Sequence, residues 1–221
     1  MNILTQNGKM KKSSQNGIDV YNFGIPAFMS RTGVKTCPKA GVCATGCYAR
    51  GGSYLYPNTV NAYESRLELT QSNTFIDLMV AEVKFKTLRA YSKGNECLIR
   101  IHDSGDFYSP EYWNKWKHVV NQCQSTKFYA YTKMVQFFKS QNDIPHNFRL
   151  IYSYGGLEDK LVNRSKDFHS MVFSSDVDLQ TQGYSDASND DLVAALGSNH
   201  RIGLVYHGLK KYSNTKWNKV K

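Results

Sequence analysis

Three cysteines, Cys37, Cys43 and Cys47, stand in one glycine-bearing segment, CPKAGVCATGC, at the spacing C-x5-C-x3-C, with Tyr48 next in the chain. Gly33, Gly41 and Gly46 let such a segment fold into a tight loop, and Pro38 stiffens its start. Three thiolates this close suit a soft metal or an iron–sulfur cluster. A closed structural zinc or ferredoxin-type site takes four protein ligands. A three-cysteine loop therefore leaves one coordination position for a substrate, a cofactor, water or a distant residue. The competing reading is a group of buried free cysteines. Arg31, Lys35, Lys39 and Arg50 surround the cysteines in sequence. Their charge could stabilise thiolates, an anionic cluster or an anionic substrate.

Cys97 and Cys123 are isolated and read as small core residues. Five cysteines is an odd number, and the opening segment MNILTQNGKMKKSSQNG carries no apolar signal-like run. No stretch approaches the roughly 18 apolar residues of a membrane helix. These features lead us to expect an intracellular protein with no membrane partner, its cysteines kept reduced and available to a metal.

The net charge of +10 is concentrated at the ends. Lys9, Lys11 and Lys12 lie near the start, and Lys210, Lys211, Lys216, Lys219 and Lys221 lie in an acid-free tail. The expected organisation is a basic N-terminal segment (1–17), a single α/β iron–sulfur domain (18–209) and a basic C-terminal tail (210–221). The basic ends read either as solvated termini or as a grip on nucleic acid.

Short apolar runs alternate with helical stretches across the interior. Strands are expected within Asp19–Met29 and at 98–102, 127–131, 148–152, 171–173 and 202–206. Helices are expected near 58–69, 74–91, 110–123, 134–140 and 190–196, with a helical turn at 157–163. Ile76, Met79, Val80 and Val83 share one face of the second helix, and Ser109-Pro110 opens the third as a cap and first turn. Such alternation predicts a parallel α/β sheet, either a partial (β/α)6 barrel or an open parallel sheet, with the cysteine loop after the first strand.

Each expected strand finishes in polar or glycine-rich residues. The second ends in His102-Asp-Ser-Gly-Asp106, the third in Thr132-Lys133 and the fourth in Ser153-Tyr-Gly-Gly156. The fifth ends in Ser174-Ser-Asp176 and the sixth in His207-Gly208. Carboxyl ends of parallel strands line one face, where active sites lie. These segments are thus expected to converge beside the cysteines. Asp103, Ser104, Gly105 and Asp106 are candidate ligand contacts, their carboxylates suited to an ammonium or a ribose hydroxyl. Lys133 suits a carboxylate or phosphate, and Gly155-Gly156 either admits a cofactor or makes a tight turn. His102 reads as an acid–base group, as a fourth metal ligand, or as a strand-end histidine bonded to the backbone. His118, His146, His169 and His200 are given no role.

The stretches CPKAGVCATGCYAR, RIHDSGDFYSPEYW, FYAYTK and RIGLVYHG resemble the gene product 88 family of phage and bacterial proteins, over roughly Ile25 to Gly208. That resemblance implies a phage or prophage source and so a place in the host cytoplasm. The order of features also resembles the radical S-adenosylmethionine enzymes. That likeness implies a 4Fe-4S cluster held by Cys37, Cys43 and Cys47 after the first strand of a partial barrel. It also implies an open iron for the cofactor, and Ser104-Gly105-Asp106 at the position of the family's second-strand motif. The loop spacing departs from that family's usual C-x3-C-x2-C.

Three functional readings follow. The first is a 4Fe-4S protein with an open iron that cleaves S-adenosylmethionine and acts on an unknown small molecule. The second keeps the cluster in a non-catalytic redox, sensing or nucleic-acid-associated protein that meets a host factor. The third is a zinc protein using the three cysteines with His102 or another residue.

Overall fold

The apolar runs lie side by side and all point the same way. The computed structural model describes residues 3–206. It opens with helix α1 (Gly8–Ser13) and strand β1 (Ile18–Phe23), followed by helices α2 (Cys43–Gly46), α3 (Pro57–Gln71) and α4 (Phe75–Tyr91). Then come β2 (Glu96–Ile101), α5 (Pro110–Gln122), β3 (Lys127–Thr132), α6 (Val135–Lys139) and β4 (Phe148–Ser153). The chain continues through β5 (His169–Phe173), α7 (Asp176–Thr181), β6 (Ser185–Asp186), α8 (Leu192–Leu196) and β7 (Arg201–Val205).

The seven strands make one sheet in the order β1-β2-β3-β4-β5-β7-β6. Every pairing is parallel. Arg100 of β2, Tyr131 of β3, Val172 of β5 and Leu204 of β7 line one cavity, so the sheet curls around that face as an open half-barrel. The expected partial α/β barrel is thus the architecture found. The two-residue β6 is an addition that no apolar run announces.

The strands are apolar on both sides because both faces are covered. On the convex face, Phe23, Ile99, Ile101, Phe128 and Phe148 meet the helices. Trp116 of α5 packs edge-on to Phe23 and Phe75 at 5.3 and 5.4 Å, and Trp113 packs edge-on to Phe107 at 5.3 Å. Ser109 caps α5 by accepting from the Tyr112 amide, with Pro110 in the first turn, as expected. On the concave face, Val20, Leu98, Tyr129, Ile151 and Ile202 pack with Met10 of α1 and with Ala194 and Ala195 of α8. These two short helices plug the half-barrel.

The N-terminal segment is therefore not a solvated end over its described part. Met10 and Ser13 are fully buried, and Thr5 bridges to Asn22 beside β1. The basic tail at 210–221, with His207 and Gly208, lies outside the described residues. Cys97 and Cys123 are buried core thiols, Cys97 in β2 and Cys123 at the C-cap of α5. His169 opens β5, fully buried, with its Nε2 3.0 Å from the Tyr184 hydroxyl.

Candidate functional site

The cysteine loop is clamped across the mouth of the half-barrel. Ala40 forms an antiparallel bridge with Gly156 just beyond β4. The amides of Gly41 and Cys43 both donate to the Gly155 carbonyl, at 3.1 and 3.0 Å, and the Leu157 amide donates to the Lys39 carbonyl at 2.9 Å. The approach is close enough that a Cβ on Gly41 would stand 3.0 Å from the Gly156 backbone. Gly155 has φ +92°, a conformation that favours glycine, and the Asp159 carboxylate accepts from the amides of both Gly155 and Gly156. The glycine pair is thus a tight turn that docks the loop.

The HDSGD turn holds the other side. The Asp103 amide donates to the Phe23 carbonyl at 3.0 Å, and the Ile25 amide to the Ser104 carbonyl at 3.1 Å. The Asp106 amide donates to Thr36, the residue before Cys37, at 2.9 Å. Gly105 has φ +85°, and a Cβ there would stand 2.3 Å from Ile25. β1, β2 and the start of the cysteine loop are therefore stitched together at one point.

Cys37, Cys43 and Cys47 line one cavity of about 170 Å³ together with Asp103, Asp106 and Lys133. Ser104, Gly105, Thr132, Ser153 and Tyr154 also reach it. The ends of the first four strands thus converge as expected. The fifth does not: Ser175 caps α7 by accepting from the Asp178 amide, and Ser174 donates to the Asp178 carboxylate. Gly155 and Gly156 lie behind the loop and line neither this cavity nor its neighbour. That neighbour holds about 870 Å³ and shares Cys47, Tyr48, Arg100, Asp103 and Tyr131 with the smaller space. Its far wall carries Lys9, Arg50, Tyr54 and Tyr63.

The three thiols sit in different fields. The Cys37 thiol is pushed up to about 12, by burial first and then by the charge of Asp106, although the Phe28 amide donates to its sulfur at 3.4 Å. Cys43 is lowered to about 6. Its sulfur is hydrogen-bonded by the Cys47 thiol, and the Lys133 ammonium outside that pair adds to the effect against the opposing pull of burial. Cys47, the donor of that pair, is raised, further so by burial. Lys133 is held in place by Ser153 and Tyr154, donating to the Ser153 carbonyl and hydroxyl and to the Tyr154 carbonyl at 2.8–3.1 Å.

The two aspartates differ. Asp106 is a fastener: Oδ1 accepts from the Thr132 hydroxyl at 2.6 Å and the Phe107 amide at 2.7 Å, and Oδ2 from the Lys133 amide at 2.9 Å. Burial nevertheless raises it to about 6. Asp103 lines both cavities. Its Oδ2 accepts from Asn7 and Tyr63 at 3.0 Å each, while its buried Oδ1 has no hydrogen-bond partner. Burial raises Asp103 too. Gly24 makes room for this carboxylate, since a Cβ there would stand 2.1 Å from Oδ1.

Of the three readings of His102, its ring contacts fit the structural one, with a tyrosine hydroxyl rather than the backbone as partner. His102 has φ +67°, and its ring lies in the convex aromatic core, 4.7 Å from the Phe107 ring centre. Its Nε2 is 2.8 Å from the Tyr112 hydroxyl. Burial, helped by Arg100, lowers it to about 3, so the ring is neutral. His102 thus borders the smaller cavity while its ring is engaged by Phe107 and Tyr112. Among the described residues no group of three or more His, Cys, Asp or Glu side chains is arranged to hold a metal ion.

Below the larger cavity lies an ionic group that the sequence reading did not find. Asp191 is fully buried, with Lys9 at 2.6 Å on Oδ1 and Arg100 at 2.8 Å on Oδ2. The Tyr129 hydroxyl also donates to Oδ2 at 2.7 Å. Burial pushes the Asp191 carboxyl up, but Arg100 and Lys9 outweigh it and hold it below the usual range. An arginine inside the apolar run Leu98–Ile101 was the one local sign.

The chain matches the family described as Gene product 88 over residues 1–219. It belongs to the Gene product 88 family. A relative in this family, the Gene 88 protein of Mycobacterium phage L5, is 35% identical over 109 residues. That alignment takes in 45% of this chain and 43% of the phage L5 protein, so the chain spans less than half the length of that relative. No solved structure matches. Family membership bears out the resemblance carried by the cysteine and HDSGD segments, and the relative is a bacteriophage protein, as that resemblance implies. Among the described residues no helix is long and apolar enough to cross a membrane.

Proposed function

We propose that this Gene product 88 family protein is a phage iron–sulfur protein, with Cys37, Cys43 and Cys47 as the residues that would hold a 4Fe-4S cluster and leave one iron without a cysteine ligand. The observation that carries this reading is the shared cavity: three thiols from one clamped loop, at the carboxyl ends of parallel strands, beside a second and larger space. The donor chemistry fits. Thiolate ligands must lose their protons; Cys43 is lowered by the Cys47 thiol and Lys133, whereas Cys37 and Cys47 are raised and would give up theirs only as iron binds. A four-iron cluster takes one thiolate at each of three separate corners, so the thiols need not converge on one point as a single ion requires. The zinc reading loses its named fourth ligand, because the His102 ring lies in the convex core.

When bound, a reduced cluster with an open iron supplies one electron to a sulfonium cofactor such as S-adenosylmethionine. This chain's own residues would do the rest. Lys133 balances the negative charge of the thiolates. Asp106 keeps the ends of β2 and β3 in register behind them. Asp103 borders both cavities with its Oδ2 held by Asn7 and Tyr63, and so would set a fixed carboxylate beside the bound cofactor. Arg100, held by Asp191, keeps a fixed positive charge at the junction.

Anaerobic purification with iron and sulfide analysis tests the cluster. Calorimetry with S-adenosylmethionine on the reduced, loaded protein tests the cofactor. An intact cluster that ignores the cofactor would favour the redox or sensing reading.

A further inference from the structure

The walls of the larger cavity combine positive charge with aromatic rings. Its volume of about 870 Å³ lies within the roughly 300–1,000 Å³ of small-molecule sites. One wall is the start of α1, from Asn7 to Lys9, and another is drawn from the chain between Thr45 and Tyr54. Among the described residues three cations line the space, Lys9, Arg50 and Arg100, against one carboxylate, Asp103. Lys9 and Arg100 share the single carboxylate of Asp191, so that group keeps one positive charge in surplus. Arg50 is exposed and donates to a neutral acceptor, the Ala44 carbonyl, at 2.7 Å. The cavity therefore attracts anions.

The aromatic side is held in place. Tyr48, Tyr54 and Tyr63 stand in a row, with Tyr54 edge-on to Tyr48 at 5.7 Å and tilted against Tyr63 at 5.8 Å between ring centres. Asp103 fixes the outer two: its carbonyl accepts from the Tyr48 hydroxyl, and its Oδ2 from the Tyr63 hydroxyl at 3.0 Å. Oδ2 also accepts from Asn7 at 3.0 Å, so this carboxylate ties the start of α1 to α3. The acidic group is thus engaged by the walls themselves, and rings and cations are what a ligand meets. A bare basic patch takes any anion, and a tyrosine pocket without cations takes an uncharged ring. The two together in one positively charged groove suit a nucleotide, whose base stacks on an aromatic face while its phosphate pairs with arginine or lysine. Thr45, Ser53 and Thr59 add hydroxyls for the sugar.

We infer that the larger cavity binds a nucleotide, its base stacked on Tyr54 and its phosphate held by Arg50. The source is a free nucleoside 5′-phosphate or one nucleotide of a single strand, and the recognition chemistry is the same for both. The site uses only this chain's own side chains. It stands apart from the cluster, so a protein without iron that binds nucleotides contradicts the cluster reading alone, and a loaded protein that binds none contradicts the nucleotide site alone.

Isothermal titration calorimetry of the full chain tests this with deoxynucleoside 5′-monophosphates, the matching nucleosides, inorganic phosphate and a short deoxythymidine oligonucleotide as probes. A monophosphate or the oligonucleotide should bind at submillimolar concentration, at least about tenfold more tightly than the nucleosides and inorganic phosphate. An oligonucleotide bound more tightly than every monophosphate identifies a strand as the source, and one bound no more tightly identifies the free nucleotide. Arg50→Gln and Tyr54→Leu should each weaken binding by about tenfold, with circular dichroism unchanged, since Arg50 is exposed and leucine keeps an apolar contact for Tyr48 and Tyr63. Tyr54→Phe should bind as the wild type does, and so should Lys84→Gln, which removes an exposed charge on α4. No binding of any nucleotide probe at millimolar concentration overturns the inference. So does binding that survives Arg50→Gln or Tyr54→Leu, binding of inorganic phosphate as tight as that of the nucleotides, or an equal loss in Lys84→Gln.

Discussion

The Cys43 amide donates to the Gly155 carbonyl at 3.0 Å, tying the first residue of the cysteine helix to the turn after β4. The loop that carries the thiols is therefore anchored at both ends of its span: by Thr36 and Phe28 near Cys37, and by Gly155 at Cys43. A loop fixed to the scaffold in this way would lose little conformational entropy on taking a ligand.

Gly41→Ala tests that clamp. The added Cβ meets backbone atoms at 3.0 Å, so the loop must move. Stability should fall by about 1–2 kcal/mol, the usual cost of a misfit at a packed position. Iron retention should fall more steeply than global stability. Unchanged iron content together with an unchanged urea midpoint would show that the contact does not hold the loop.

The buried group under the larger cavity yields a second prediction. Asp191→Ala leaves Lys9 and Arg100 facing each other without the fully buried carboxylate that joins them. Breaking a buried pair in this way costs about 3–5 kcal/mol. Urea unfolding of the apo-protein should show a lower midpoint at constant slope. A loss below about 1 kcal/mol, the range of exposed pairs, would contradict the buried role.

Acid stability gives a third. His102 has its pKa lowered from 6.5 to about 3, so the unfolded chain binds the extra proton between those values and this group's contribution is lost as pH falls through that window. Asp106 is raised from 3.8 to about 6, so here the folded chain binds the proton. Its contribution is full below the unfolded value and is lost as pH rises toward 6. The two oppose each other between about pH 4 and 6. Relative to wild type, Asp106→Asn should make stability fall more steeply on acidification, and His102→Asn less steeply, each by up to about 1.4 kcal/mol per pH unit. Asparagine suits the left-handed backbone at 102. Parallel pH profiles for all three proteins would rule out both assignments.

The sheet was legible because its longer strands are largely buried on both faces and so read as apolar runs, whereas the two polar residues of β6 do not. Leu98–Ile101, Phe128–Tyr131 and Phe148–Tyr152 all fell where expected, as did the cap at Ser109. The convergence of Cys37, Cys43, Cys47, Asp103, Asp106 and Lys133 followed from the parallel topology, which places strand ends together. Other features depended on contacts that no local pattern carries. Helix α1 is a single lysine-rich turn and a half, anchored by Met10 and by the distant Asp191. The place of the His102 ring rests on its contacts with Phe107 and Tyr112.

The central claim is the thiol-held cluster, and anaerobic reconstitution with iron and sulfide analysis tests it most directly. The wild type should take up four irons and four sulfides per chain and absorb near 400 nm, as expected for a 4Fe-4S centre. Cys37→Ala, Cys43→Ala and Cys47→Ala should each lose the cluster, whereas Cys97→Ala and Cys123→Ala should keep it. A wild type that takes up zinc but no iron and sulfide, or a Cys43→Ala protein with a full cluster, would contradict the account.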